Sequence, residues 1–114
     1  MLTRFAPLQL QDWLAQHQGG DTLPLVLDVR EPWEVQTASV QPEGFELLTL
    51  PMGQIPSELA RLDPDRPVAC LCHHGMRSMH VANYLINSGF DKVANIDGGI
   101  DAWSLQRDPS VPRY

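Results

Sequence analysis

The chain has 114 residues, room for one domain and not for two. It is 43% hydrophobic and 19% charged, which argues against disorder over most of its length. A formal net charge of -6 argues against a general nucleic-acid or membrane-surface binder, although a local site can oppose the net sign and take a small anion.

Met1 to Pro7 hold no long apolar run, so no signal peptide is expected, and no stretch is long enough to span a bilayer. The two cysteines, Cys70 and Cys72, are separated by Leu71 alone, and a disulfide across one residue is strained. Both are expected as reduced thiols in a cytoplasmic protein.

In chain order, Leu10, Trp13 and Leu14 have i, i+3, i+4 spacing, which predicts a helix from about Leu8 to Gln16, stopped by Gly19-Gly20. Leu23 to Val29 is an apolar run that does not alternate, the pattern of a strand buried on both faces in a parallel sheet. A short helical turn is predicted over Glu31 to Val35, then loop from Gln36 to Gly44 and a second strand from Phe45 to Leu50. Ile55, Leu59 and Leu62 mark a further helix, ended by Pro64-Asp65-Arg66-Pro67. Val68 to Cys72 reads as a buried strand whose period of two turns both thiols to one face and Leu71 to the other. His73 to Met76 reads as a tight loop, and Arg77 to Asn87 as a helix burying Val81, Ala82, Leu85 and Ile86 and closed by Gly89. Val93 to Ile96 is the last strand, Gly98-Gly99 a turn and Ile100 to Leu105 a short helix. The domain is expected over 1–106, with 107–114 as a loose C-terminal tail. Strands alternating with helices predict an α/β domain with a mainly parallel sheet, whose chemistry sits at the carboxyl ends of the strands.

That rule directs attention to Cys72. It closes an apolar strand and opens a loop leading into a helix, so its sulfur faces loop N–H groups and the positive end of a helix dipole. Arg77 adds a positive charge five positions on. These features favour thiolate over thiol and make a nucleophile beside an anion cradle. Gly75 permits the tight turn, and Ser78 is placed to cap the helix or bond within the loop.

Cys72-His73-His74-Gly75-Met76-Arg77-Ser78 resembles the active-site loop of rhodanese-like sulfurtransferases. Leu27-Asp28-Val29-Arg30-Glu31-Pro32-Trp33-Glu34-Val35 is similar to that family's first signature, and Asn95-Ile96-Asp97-Gly98-Gly99-Ile100-Asp101-Ala102-Trp103 to its last. The three stretches stand in the family's order, and the resemblance runs from about Leu8 to Trp103. It implies a three-layer α/β/α fold with a five-stranded, mainly parallel sheet. It also implies a double displacement in which Cys72 takes sulfane sulfur from thiosulfate or a persulfide and passes it to a thiol or cyanide. His73, His74, Gly75, Met76, Arg77 and Ser78 would form the cradle. The implied partners are a small anionic sulfur donor and a thiol or protein acceptor, with no metal or organic cofactor; the net charge argues against nucleic-acid and membrane partners, and a monomer is the default expectation. Many members have a Gly-His-Ile-Pro-Gly-Ala stretch after the first signature; here that region reads differently, as Thr37 to Phe45 with Leu50 to Pro56 later.

Simpler readings cover the remaining candidates. Cys70 is expected to pack as a small apolar residue, with a resolving role as the alternative. Cys70, Cys72, His73 and His74 are too close in sequence for good tetrahedral metal geometry. His73 and His74 are expected to be loop residues with exposed rings able to modulate the charge at Cys72. Asp28 and Arg30 are expected to hold loops together beside the site, Trp13 and Trp103 to be core, and Trp33 to be partly exposed. Cysteine phosphatases and arsenate reductases, an alternative enzyme class, usually place one residue more between Cys and Arg than the four found here. A non-catalytic rhodanese-like binding module is the remaining alternative, against which Cys72 itself counts.

Overall fold

The structure, a computed structural model, describes residues 2–20 and 22–114; Met1, where the leader reading begins, and Asp21 lie outside the described residues. Five strands, β1 (Thr3–Phe5), β2 (Leu25–Asp28), β3 (Glu46–Thr49), β4 (Val68–Leu71) and β5 (Val93–Ile96), form one sheet in the order β1-β5-β4-β2-β3. Every neighbouring pair is parallel. The helices are α1 (Leu10–Gln16), α2 (Pro32–Thr37), α3 (Ile55–Glu58), α4 (Met76–Asn87) and α5 (Gly99–Gln106).

The strand period of two builds two cores, one on each face of the sheet. Val26, Ala69, Leu71, Ala94 and Ile96 pack with Leu10, Trp13 and Leu14 of α1 and Ile100 and Trp103 of α5. Leu25, Leu27, Val68, Cys70 and Val93 pack with Ile55 of α3 and Val81, Ala82 and Leu85 of α4. The result is the three-layer α/β/α architecture, with Cys70 and Cys72 on the α4 side and Leu71 on the other. Burying each large apolar side chain contributes about 1.5–3 kcal/mol before entropy is counted.

Three features depart from the sequence reading. The edge strand β1 carries no signal in its three residues; it is set by pairing Thr3 to Phe5 against Ala94 to Ile96 and by an Arg4–Asp97 ion pair at 3.0 Å. The helix expected over Ile55 to Leu62 ends at Glu58 and tightens into a 3-10 turn, Leu59–Arg61. The segment after Arg107, expected as a loose tail, folds back: Val111 is buried in the α5-side core, and Ser104 Oγ donates to its carbonyl. That return leaves Tyr114 against the loop after β4, a contact that no local pattern announces.

Candidate active site

β4 is the middle strand of the sheet, and Cys72 follows it directly, at the carboxyl end between β2 and β5. Gly75 precedes the first turn of α4 with no capping side chain, so the orphan N–H groups there need another partner. Cys72 Sγ is that partner: it accepts from Gly75 N at 3.1 Å and from Ser78 N at 3.3 Å. The sulfur thus stands where the oxygen of a capping Ser or Asp stands in other helices. Gly75 sits at φ +103°, in the left-handed region that turns the chain back over the sulfur.

The last signature supports this loop from beneath. Ile100 N donates to Cys72 O at 2.8 Å and Asp101 N to His73 O at 3.1 Å, so the amino end of α5 holds the loop's carbonyls. Gly99 lies between, at φ +60°, where an added Cβ would collide with both carbonyl oxygens. Of the two roles expected for Ser78, the structure shows the bond within the loop, with Oγ 3.2 Å from Gly75 O, and not the helix cap. Ser78 is fully buried and bonds Asn95 Oδ1, while Asn95 Nδ2 donates to Gly75 O at 3.3 Å and to Asp97 Oδ1 at 2.9 Å. Asn95 tethers the loop to β5; in the sequence it is the first residue of the stretch similar to the last signature and an amide inside an apolar strand, with no role read for it.

Arg77 points to Glu34 of α2 rather than standing free. Its guanidinium is bidentate, with Nη1 to Oε2 at 2.6 Å and Nη2 to Oε1 at 2.8 Å. Glu34 is only 3% exposed, and it also accepts from Glu31 N at 2.9 Å and from the Tyr114 hydroxyl at 2.8 Å. The Arg77 guanidinium, with the Glu31 and Tyr114 donors, outweighs burial and holds the Glu34 carboxyl down at about 2. Glu34 lies within the stretch similar to the first signature, but its role, like that of Tyr114, was not legible, because each acts through a partner more than forty positions away.

Asp28 and Arg30 form the expected ion pair, at 2.7 Å and with both side chains almost wholly buried. Arg30 also donates to the carbonyls of Glu34 and Ala38 and to the Tyr114 hydroxyl, so it ties the end of β2 to α2 and to the returning C-terminal segment.

Of the two histidines, only His73 departs from the expected exposure. His74 is exposed, but the ring of His73 is half-buried, stacked between His74 and Tyr114 with centroids 3.9 Å from each. His73 Nε2 lies 2.8 Å from the main-chain oxygen of Tyr114. His73, His74 and Asp101 bring possible metal-donor atoms within 4.8 Å of one another. Within this cluster, Arg113 donates to Asp101 at 2.9 Å and His73 Nε2 meets the Tyr114 oxygen. Cys70 is fully buried among apolar side chains. Met76 is exposed at the rim of the loop, and Trp33 is 62% exposed and meets the Tyr114 ring edge-on.

The rhodanese-like domain family model matches residues 10–106, which contain the sheet's three central strands and the whole Cys72 loop. The chain is 44% identical over 93 residues to the rhodanese-like/PpiC domain-containing protein 12, chloroplastic, of Arabidopsis thaliana, covering 78% of this chain and 30% of that protein. It is 35% identical over 78 residues to the thiosulfate sulfurtransferase GlpE of Vibrio cholerae, covering 68% of this chain and 70% of that one. The crystal structure of a rhodanese-related protein from Thermoplasma volcanium superposes with a TM-score of 0.76 at 24% identity, covering 98% of this chain and 99% of that chain, and shows the same fold. This chain belongs to the rhodanese-like family, and its class is that of the sulfurtransferases.

Proposed function

We propose that Cys72 carries sulfane sulfur as a persulfide, taken from thiosulfate or a persulfide donor and delivered to a thiol or to cyanide. The observation that carries this reading is the pair of N–H donors on Cys72 Sγ at the carboxyl end of the central strand. Donors aimed at sulfur support it when it bears negative charge, and the thiolate is the nucleophilic form. With thiosulfate, the Cys72 thiolate attacks the outer sulfur and a new S–S bond forms. The S–S bond of thiosulfate breaks, and sulfite leaves with the electron pair. In the second half, cyanide or an acceptor thiolate attacks the outer sulfur of the persulfide, the Cys72–sulfur bond breaks and the Cys72 thiolate returns. Both halves conserve charge and need no external oxidant or reductant.

The loop from His73 to Ser78 serves as the cradle, through the N–H groups of the first turn of α4 and the dipole behind them. The relative named thiosulfate sulfurtransferase supports thiosulfate as a donor. Among the described residues no helix is long and apolar enough to cross a membrane. Two free thiols suit a reducing compartment, and we place the protein in the cytoplasm, acting as a monomer on small or protein-borne sulfur acceptors.

The test is intact mass after incubation with thiosulfate, followed by thiocyanate release on adding cyanide, beside Cys72→Ala. The native protein should gain one sulfur atom and yield thiocyanate, and the variant neither. Sulfur uptake retained in Cys72→Ala would remove the nucleophile from this reading. No uptake by the native protein from thiosulfate or from any persulfide donor would favour the binding-module alternative.

A further inference from the structure

Arg77 was expected to lend the loop a full positive charge, and the structure shows that charge already taken. We propose that Glu34, braced by Tyr114, is a specificity-determining positioning residue: it holds the Arg77 guanidinium in a neutral pair and so weakens the cradle's hold on dianionic donors. The inference rests on the reading of the Cys72 loop as a sulfur-donor cradle.

The geometry makes the restraint firm. Four donors converge on the Glu34 carboxylate: Nη1 and Nη2 of Arg77, Glu31 N and the Tyr114 hydroxyl. Tyr114 cannot swing aside freely. Its ring stacks on His73 at 3.9 Å and 7°, its hydroxyl accepts from Arg30 Nη1 at 3.1 Å, and its main-chain oxygen meets His73 Nε2. Arg30 is itself fixed by Asp28. Glu34 is therefore anchored from the β2 side before Arg77 reaches it.

A dianion entering the loop has two ways to gain the guanidinium's charge. It can draw Arg77 off Glu34, which strands an almost buried carboxylate with only two of its four donors. Or it can leave the pair intact, and then it meets a cation and an anion together, whose fields largely cancel beyond a few ångströms. In either case the backbone N–H groups do most of the holding. Such a cradle penalises a dianion such as thiosulfate more than a persulfide bearing a single charge.

Removing the Glu34 charge should release that of Arg77. Glu34→Gln is expected to lower the thiosulfate KM roughly three- to tenfold at low ionic strength, with kcat moving less. The gain should shrink in high salt, a response that loss of packing alone does not produce. Tyr114→Phe, which keeps the stack and removes one brace, should move KM in the same direction by less. Glu31→Gln, which removes an exposed charge from the same helix start, should move it least. A readout independent of turnover is protection of Cys72 from iodoacetamide by sulfate, an inert dianion: the protecting concentration should fall in Glu34→Gln and, by less, in Tyr114→Phe. If native protein takes up no sulfur, the persulfide reading fails, and the sulfate titration still decides this one. An unchanged or higher KM and protecting concentration in folded Glu34→Gln, or an equal shift in Glu31→Gln, overturns the proposal. Should Glu34→Gln fail to fold, an unchanged protecting concentration in Tyr114→Phe does the same.

Discussion

Cys70 and Cys72 stand two residues apart on one face of the sheet, and neither is more than 1% exposed. Both belong to the apolar cluster on the α4 side, yet the polar groups around their sulfurs differ. Cys70 lies inside the β4–β5 ladder among aliphatic side chains, where burial, and then the neighbouring Cys72, push its thiol far above the ordinary range. Cys72 lies just past the end of β4, where the backbone turns and two N–H groups reach its sulfur. The contrast teaches that exposure does not separate the two thiols of this fold, of which Cys72 is the proposed nucleophile. The supply of backbone donors does, and it exists only where the ladder stops.

The contrast can be tested by disturbing one region at a time. The largest stability effect is expected from Asp28→Ala, which strands the fully buried Arg30 charge next to the Cys72 loop. A loss of about 3–5 kcal/mol should appear in urea unfolding. Gly99→Ala forces a Cβ into the carbonyls of Cys72 and His73 at a left-handed φ, and should cost on the order of 3 kcal/mol while slowing sulfur uptake at Cys72. A Gly99→Ala protein that keeps native stability and loading rate would break the link between α5 and the loop.

The two limbs of the pH–stability profile separate the two regions. Glu34 has its folded pKa depressed from 4.5 to about 2, so its contribution is fully present above 4.5 and is lost as pH falls through that window. The acid limb should lose on the order of 1–3 kcal/mol through this group, and Glu34→Gln should flatten it. Cys70 shifts the other way: above about 8.5 the unfolded thiol ionises while the buried one keeps its proton, so stability should fall as pH rises there. Cys70→Ala should remove that alkaline slope. It carries the smallest expected cost, about 1 kcal/mol by comparison with other single-atom core deletions, and should leave sulfur loading at Cys72 intact. Loss of loading in Cys70→Ala would make Cys70 a participant rather than packing.

Much of this was legible along the chain. The strands β2, β4 and β5 announce themselves as unbroken apolar runs, since a strand covered on both faces has no polar side to show. The position of Cys72 between such a run and a helix, with glycine three residues on, is also local information. β1 was not legible, because three residues are too few to show a period and its pairing partner lies some ninety positions away. The roles of Glu34, Asn95 and Tyr114 escaped for a related reason: although the first two lie within the quoted motif stretches, each is an ordinary polar residue until the fold brings it to the loop.

By itself, then, the sequence determined the α/β architecture and the family, and it singled out Cys72 as the sulfur for the proposed chemistry. These depend on apolar periodicity, on turn residues and on a contiguous loop, all of which act over a few neighbouring residues. Only the tertiary structure decided how the charge of Arg77 is spent, what braces Glu34 and where Tyr114 comes to rest. Those outcomes are set by which side chains meet across α2, the Cys72 loop and the returning C-terminal segment. Electrostatic pairing depends on distance in space, which separation along the chain does not encode.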